Sequence, residues 1–323
     1  MRREAFSERV IIDLIKKKFP QRGNILPLYD DAWGCVLKKK YLISSGDMFV
    51  ETTDAPPFMT VRQMAFKSFT ISVSDIASKG VTPTYYYLII GLPRNFGGER
   101  FTELMKGWRE AVDLYGGMIM GGDTNEASCV TISVVSISLS DKPPIPRKGG
   151  KPGDIVAVTG FFGETYVGFK MMKNPDKIPK RIRVKVIERI CRPIARLYEG
   201  VALNGVAEAC TDSSDGLAVS LYNLIRGERN GILVENLPIS RDTEEALNML
   251  EMEPFEAVFY GGEEFELVAI IPKEEWNRAI KKVNRAGGNL IPIGRVIDKR
   301  GVWYYRGKGE TVKVLERGWE HFL

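Results

Sequence analysis

The fold is decided by residues 60–92, TVRQMAFKSFTISVSDIASKGVTPTYYYLIIGL. Thr60 and Gln63 have the spacing of a capping box, so the pattern predicts a helix over residues 61–79. The apolar run at residues 85–91 is typical of a strand. A helix that leads directly into a strand indicates a protein of the mixed α/β class.

The rest of the chain continues this alternation. Residues 99–115, which precede a Gly-Gly pair, predict a second long helix, and residues 10–19 repeat apolar side chains at helical spacing. The middle of the first helix, residues 69–73, is β-branched and could instead form a strand. Further strand-like runs occur at residues 41–44, 118–120, 130–139, 155–159, 232–235, 265–272 and 290–296. We therefore expect an α/β or α+β fold.

The length of the chain predicts two domains. Its 323 residues exceed what a single hydrophobic core usually serves. Proline and glycine are densest between Asp141 and Asp154, and such stretches are typical of domain boundaries. We therefore expect domains at residues 1–145 and 146–323.

Composition excludes several classes of protein. The net charge of +5 comes from 46 basic and 41 acidic residues that are interleaved, which is weak evidence for a nucleic-acid partner. No apolar run approaches the roughly 20 residues of a membrane helix, and the amino terminus does not resemble a signal peptide, so we expect a cytoplasmic protein without a membrane partner. The four cysteines form no CxxC pair, which favours reduced thiols.

Several aspartates stand out because an apolar or glycine-rich run leads to each of them: Asp30, Asp31, Asp47, Asp123, Asp212 and Asp215. Each has an ordinary alternative, because Asp215 could cap a helix over residues 216–227, and Asp47 and Asp123 could form turns. Asp75 is harder to explain this way, since it lies inside the predicted helix among small and apolar residues. Carboxylates suit Mg²⁺, which takes oxygen ligands and lets substrate phosphates complete its shell.

Two glycine pairs precede carboxylates and could approach phosphate. They lie at residues 121–123 and 261–263, where we expect tight turns with exposed backbone N–H groups or simply ordinary turns. Arg147 could supply a planar fork for phosphate oxygens. The sequence contains neither a Walker A motif nor a protein-kinase HRD or DFG motif, and its single histidine is His321. Any phosphate-binding site must therefore differ from those of P-loop proteins and protein kinases.

Taken in this order, the motifs resemble those of the thiamine-monophosphate kinases, within the aminoimidazole ribonucleotide synthetase-like superfamily. The resemblance covers nearly the whole chain, and its carboxyl-terminal ending is more particular to the thiamine-phosphate enzymes. The stretches that carry it are Asp30-Asp-Ala32, Ser45-Gly-Asp47, Ser74 to Gly80, Gly121 to Thr124, Arg147 with Lys151 to Asp154, Asp212 to Gly216, Gly261 to Leu267 and Gly318 to Phe322.

The resemblance implies a fold and a reaction. The fold would have two domains, with an amino-terminal sheet that pairs with that of a second copy to form a dimeric barrel. The reaction would transfer the γ-phosphate of ATP in line to thiamine monophosphate, assisted by several Mg²⁺ ions and without a general base, because the attacking phosphate oxygen is already anionic. The implied sites are Mg²⁺ ligands at Asp30, Ser45, Asp47, Asp75, Asp123, Asp212 and Asp215, ATP contacts at Gly122, Asp123, Arg147 and Ser214, and thiamine contacts at Asp54, Glu263 and Trp319.

The sequence departs from the family pattern at three places. Asp54 stands where bacterial members usually have a substrate-contacting histidine, Glu264 replaces an aspartate, and Ser78-Lys79 replaces a more usual Ala-Met. The alternatives to this kinase are an ATP-dependent synthetase or ligase of the same superfamily, a nucleotide-binding regulator without turnover, and an RNA-binding module. A salt-sensitive RNA shift without kinase activity would favour the last of these.

Overall fold

The computed structural model describes residues 8–19, 23–27, 30–172 and 175–319. Helices and strands alternate through these ranges and build two sheets with helices packed on them, so the predicted α/β class is confirmed. An amino-terminal helix, α1 (Glu8–Lys18), precedes the first sheet. No helix in the described ranges is long and apolar enough to cross a membrane.

The first sheet has five strands, in the order β1-β2-β5-β3-β4. Strands β3 and β4 run parallel, and the other neighbours run antiparallel. The parallel pair requires a crossover, which is the helix α4. The elements of this part are β1 (Trp33–Leu37), β2 (Lys40–Val50), α2 (Glu51–Asp54), α3 (Val61–Ser78), β3 (Tyr85–Leu92), α4 (Gly98–Tyr115), β4 (Met118–Glu126) and β5 (Thr131–Ser140).

The second sheet has seven strands, in the order β12-β11-β8-β10-β6-β9-β7. Strand β11 runs parallel to β8, and the other neighbours run antiparallel. The strands are β6 (Ile155–Val158), β7 (Ala209–Ser213), β8 (Gly231–Val234), β9 (Glu266–Ile271), β10 (Ile291–Ile297), β11 (Gly301–Gly307) and β12 (Glu310–Lys313). The helices are α5 (Glu164–Met171), α6 (Lys180–Cys191), α7 (Leu197–Leu203), α8 (Leu217–Leu224), α9 (Arg241–Met249), α10 (Pro254–Tyr260) and α11 (Trp276–Arg285).

Helix α3 lies at the centre of the molecule. It packs against β2 and β5 of the first sheet and against α7 and β7 of the second part. Thr60 and Gln63 form the predicted capping box. The helix continues through residues 69–73, so the strand alternative for that segment is wrong; burial between the two parts outweighs the low helix propensity of the β-branched side chains.

Strand β4 replaces the tight turn that we expected at Gly121-Gly122, and that expectation was wrong. Both glycines lie inside the strand, which pairs with β3. A Cβ atom on Gly122 would lie 1.7 Å from the backbone oxygen of Leu88, so glycine is needed here for close approach of the two strands.

The face of the first sheet that points away from α3 is open and apolar. Its exposed side chains include Met48, Tyr87, Ile89 and Met118, which are between 43% and 61% exposed. Contiguous apolar surface of this kind usually marks a protein–protein contact.

Candidate active site

Three carboxylates meet where α3 passes between the first sheet and β7. Asp31 precedes β1, Asp75 lies within α3 and Asp212 lies in β7. Each offers an oxygen that lies within 4.8 Å of the other two. Asp47 lies in β2 close enough to Asp75 for its charge to raise the pKa of Asp75. The fold thus gathers at one point carboxylates that are far apart in the sequence, and we call these four residues the carboxylate cluster.

Burial and mutual repulsion raise the pKa values of three members of the cluster, Asp47, Asp75 and Asp212. Burial, followed by repulsion from Asp47, Asp212 and Asp31, raises the pKa of Asp75 well above its ordinary value. Burial raises the pKa of Asp47 to about 6, and burial with the charge of Asp31 raises the pKa of Asp212 to about 7. Within the described ranges, Oδ2 of Asp47 is buried without a hydrogen-bond partner. An oxygen-rich, mutually repelling donor set of this kind fits a divalent cation such as Mg²⁺.

Hydroxyl groups orient the carboxylates. Ser45 in β2 donates from Oγ to Oδ2 of Asp75 and to the backbone oxygen of Asp31. Ser78 donates to Oδ2 of Asp31 at 3.0 Å. Ser45, a predicted metal ligand, therefore lies at the edge of the carboxylate cluster, within reach of a shared cation.

Two basic side chains close one side of the cluster. Lys79 is fully buried at the end of α3, with its Nζ atom 2.9 Å from Oδ2 of Asp31, and it also pairs with Asp30. The guanidinium of Arg147 pairs with Asp31, and the backbone N–H of Arg147 donates to Oδ2 of Asp30 at 2.8 Å. Burial alone would raise the pKa of Asp31, but the charges of Arg147 and Lys79 outweigh it and hold that pKa below its ordinary value. Asp31, which the predicted metal set omits, is thus the member of the Asp30-Asp31 pair that faces the other carboxylates.

A cavity of about 540 Å³ is lined by residues of α2, α5 and the loop after α10, and we call it the aromatic cavity. Its lining includes all three predicted thiamine contacts, Asp54, Glu263 and Trp319, together with Tyr166 and Tyr260. The indole of Trp319 is largely exposed. The volume and the mixture of aromatic and charged groups suit a small-molecule site. The two tyrosines were missed by the sequence analysis, because neither lies within a recognisable motif.

Backbone hydrogen bonds hold the predicted nucleotide and thiamine residues together. The N–H of Glu263 donates to the backbone oxygen of Ser214 at 2.6 Å, and the N–H of Trp319 donates to that of Asp215 at 3.2 Å. Gly216 occupies the N-cap position of α8, so the expectation that Asp215 could cap this helix was wrong, and the helix ends at Leu224 rather than at residue 227.

Trp319 also borders a second cavity, of about 490 Å³. This cavity is lined by Asp30, Arg147 and Asp215, and by Lys16 of α1. The indole therefore stands between the aromatic cavity and a cavity with basic and acidic groups, an arrangement suited to a ligand with a flat ring and a phosphate. The remainder of the carboxyl-terminal motif, residues 320–322, lies outside the described residues.

The two adjacent glutamates of the Gly-Gly-Glu-Glu stretch point in opposite directions. Glu263 has a positive φ of 63° and lines the aromatic cavity. Glu264 is fully buried and accepts hydrogen bonds from the N–H of Gly163 at 2.7 Å and from the hydroxyl of Thr165 at 2.8 Å. Burial raises the pKa of Glu264 to about 7. Glu264 therefore holds the start of α5, and Glu263 remains available to a ligand.

Gly122 and Asp123 lie apart from the carboxylate cluster. The strand register pairs Asp123 with Ile89, whose side chain belongs to the open face of the first sheet, whereas Asp47 points to the opposite face, toward α3. Both Gly122 and Asp123 are exposed on β4. A single copy of the chain thus does not bring these two predicted ATP contacts next to the carboxylates.

Comparison with known proteins identifies the family of this chain. Residues 29–139 match the family described as AIR synthase related protein, N-terminal domain. The thiamine-monophosphate kinase of Pyrococcus abyssi is 34% identical over 317 residues, which cover 97% of this chain and 95% of that protein. The chain belongs to the thiamine-monophosphate kinase family. A second family member, from Pyrococcus horikoshii, is 32% identical over 297 residues. These residues cover 91% of this chain and 90% of that protein.

A solved thiamine-monophosphate kinase structure supports the same conclusion for the whole fold. The structure described as AaThiL complexed with AMPPCP and TMP aligns with a TM-score of 0.86 and 25% identity, covering 99% of each chain. The predicted superfamily fold and the predicted kinase class are therefore confirmed.

Proposed function

We propose that this thiamine-monophosphate kinase family member transfers the terminal phosphate of ATP to thiamine monophosphate, giving thiamine diphosphate and ADP. The observation that carries this proposal is that Trp319 links the aromatic cavity to the second cavity, whose Arg147 pairs with Asp31 of the carboxylate cluster. Thiamine has a cationic thiazolium and a flat pyrimidine, and the face of Trp319 with the charge of Glu263 suits both. The similarity to a structure that holds AMPPCP and TMP also supports this pair of substrates.

The carboxylate cluster would hold Mg²⁺. Asp31, Asp47, Asp75 and Asp212 would supply carboxylate oxygens, and Ser45 a hydroxyl. When bound, Mg²⁺ neutralises phosphate charge and aligns the two phosphates. The other three predicted ligands have different surroundings: Asp30 is tied to Lys79 and Arg147, Asp215 lines the second cavity, and Asp123 lies on the opposite face of the first sheet.

The chain itself provides position and positive charge for the reaction. A phosphate oxygen of thiamine monophosphate forms the new bond to the γ-phosphorus of ATP, and the bond from that phosphorus to the β–γ bridging oxygen breaks as ADP leaves. The attacking oxygen is already ionised, so no side chain needs to remove a proton. Arg147, on the wall of the second cavity, is the side chain that we assign to a phosphate, and Ser214 directly precedes Asp215 of the same wall.

We further propose that the active form is a homodimer. The open face of the first sheet is apolar and would be covered by the same face of a second copy, which is the self-complementary arrangement of a two-fold dimer. Gly122 and Asp123 lie on the exposed strand β4 of this sheet, so their predicted contact with ATP would require the assembled dimer. The cytoplasmic location stays a prediction from the sequence.

The test is a product assay with ATP, Mg²⁺ and a panel of phosphorylated acceptors. We expect thiamine diphosphate from thiamine monophosphate and complete loss of turnover in excess EDTA. Turnover that persists in the chelator would contradict the metal assignment. Turnover with a ribonucleotide precursor but not with thiamine monophosphate would favour a synthetase of the same superfamily instead.

A further inference from the structure

Lys67 is a fully buried cation behind the wall of the aromatic cavity. It lies in α3, and its Nζ atom donates to the backbone oxygen of Asp54 at 3.0 Å and to Oε1 of Glu263 at 2.8 Å. Asp54 ends the short helix α2 in the first part of the chain, and Glu263 lies in the loop between α10 and β9 in the second. Lys67 therefore joins two segments that line the cavity from different parts of the molecule.

The burial of Lys67 excludes a direct role in phosphate binding. Its side chain has no exposed surface, so the ammonium group does not reach the cavity. A buried charge is tolerated only with close partners, and both partners named here are cavity-lining groups. The thiol of Cys191 lies near Lys67 but does not form an ion pair with it. Burial raises the pKa of this thiol to about 11, which keeps it protonated and neutral. The surroundings of Lys67 thus suit a group that fixes its neighbours.

Glu263 is the neighbour with capacity left for a ligand. Lys67 holds Oε1, and the side chain of Glu263 remains 28% exposed where it lines the aromatic cavity. An ionised carboxylate only accepts hydrogen bonds. A ligand N–H in the cavity can therefore donate to this carboxylate while Lys67 holds it in place.

We propose that Lys67 is a positioning residue for acceptor recognition: it fixes the Glu263 carboxylate so that this group accepts a hydrogen bond from the amino group of the aminopyrimidine of thiamine monophosphate. The proposal rests on the proposed function. Lys67 acts through Glu263 and does not touch the substrate. It also ties the end of α2, and with it Asp54, to the same carboxylate, so that both walls of the cavity keep their spacing.

The experiment compares steady-state kinetics and Trp319 fluorescence titrations for Lys67→Met, Glu263→Gln and the double variant. Lys67→Met is expected to raise KM for thiamine monophosphate about tenfold, with little change in kcat or in KM for ATP. The double variant is expected to match Glu263→Gln, because Lys67 then has no carboxylate to orient and keeps only the backbone oxygen of Asp54. Arg62→Met is the control: it removes a cation from the same helix, but this one pairs with Glu110 at the surface, and no kinetic change is expected.

Wild-type turnover tests the proposed function itself, whereas the ratios between variants test Lys67. An unchanged KM for thiamine monophosphate in Lys67→Met would overturn the proposal, as would effects of the two substitutions that simply add. A lowered melting temperature with equal losses for ATP and for the acceptor would also overturn it, because that result indicates a purely structural cation. If Lys67→Met alone does not fold, the double variant provides the test, because it leaves no unpaired buried carboxylate. A KM for thiamine monophosphate above that of Glu263→Gln would then overturn the proposal.

Discussion

The Oδ2 atom of Asp47 is buried without a hydrogen-bond partner in the described ranges, and its carboxyl has a pKa of about 6. Because this pKa is raised above the ordinary value of 3.8, ionisation of Asp47 costs folding free energy above about pH 6, and the cost disappears as the pH falls and the group protonates. Asp47→Asn removes this cost. In EDTA the variant is therefore expected to melt at a higher temperature than the wild type, with a larger difference at pH 8 than at pH 5.

The same substitution should reduce activity, because it removes a charge from the carboxylate cluster. We expect kcat/KM with Mg²⁺ to fall by about 100-fold. Asp141→Asn is the matched control, since that carboxylate is largely exposed and pairs with Lys40 at the surface. Near wild-type activity in Asp47→Asn would show that the cluster is a structural feature and not a metal site.

Trp319 is the residue on which recognition of the thiazolium most depends. Loss of a desolvated cation–π and stacking contact implies that Trp319→Ala raises KM for thiamine monophosphate roughly tenfold, while KM for ATP and the melting temperature change little. Steady-state kinetics with each substrate varied in turn would measure this. A fall in melting temperature without a selective effect on the acceptor would indicate that Trp319 anchors the carboxyl-terminal segment and does not bind thiamine.

Strand β4 depends on the absence of a side chain at one position. A Cβ atom on Gly122 would overlap the backbone oxygen of Leu88, whereas one on Gly121 would lie 3.5 Å from the ring of Tyr87, an ordinary contact. Gly122→Ala is therefore expected to destabilise the protein by about 1–3 kcal/mol, the usual effect of forced overpacking, and Gly121→Ala to have little effect. Denaturant unfolding of both variants provides the measurement. Equal stability of the two would mean that β4 does not pair with β3 as described.

The dimer proposal depends on the open face of the first sheet. Ile89 lies on this face and is 45% exposed, so Ile89→Lys would place a charge in the proposed dimer interface. We expect light scattering after size exclusion to report a dimer for the wild type and a monomer for the variant, together with a loss of kinase activity. Val184→Lys is the control, because Val184 is exposed on α6 instead. A wild-type monomer with full activity would contradict the dimer proposal.

The sequence by itself predicted the main elements of the first sheet and several of the second part, but not β1, β7, β11, β12 or the helices α5–α7 and α9–α11. The capping box at Thr60 was sufficient for the start of α3, because this signal acts between residues one turn apart, but the sequence left a strand open for residues 69–73. Asp75 was identified as functional because a carboxylate inside a buried helix needs a partner. The family resemblance supplied Glu263 and Trp319, and both line the aromatic cavity.

The tertiary structure alone decided which of these residues meet. Sequence patterns do not distinguish Asp30 from Asp31, but the packing of α3 gives Asp31 to the carboxylate cluster and Asp30 to Lys79. Strand register places Asp123 on the face opposite Asp47, since side chains alternate between the faces of a sheet. Lys67 belongs to no sequence motif, and its importance follows from a contact with Glu263, 196 residues away. Such long-range contacts depend on how the two parts of the chain pack, and local propensity carries no information about them.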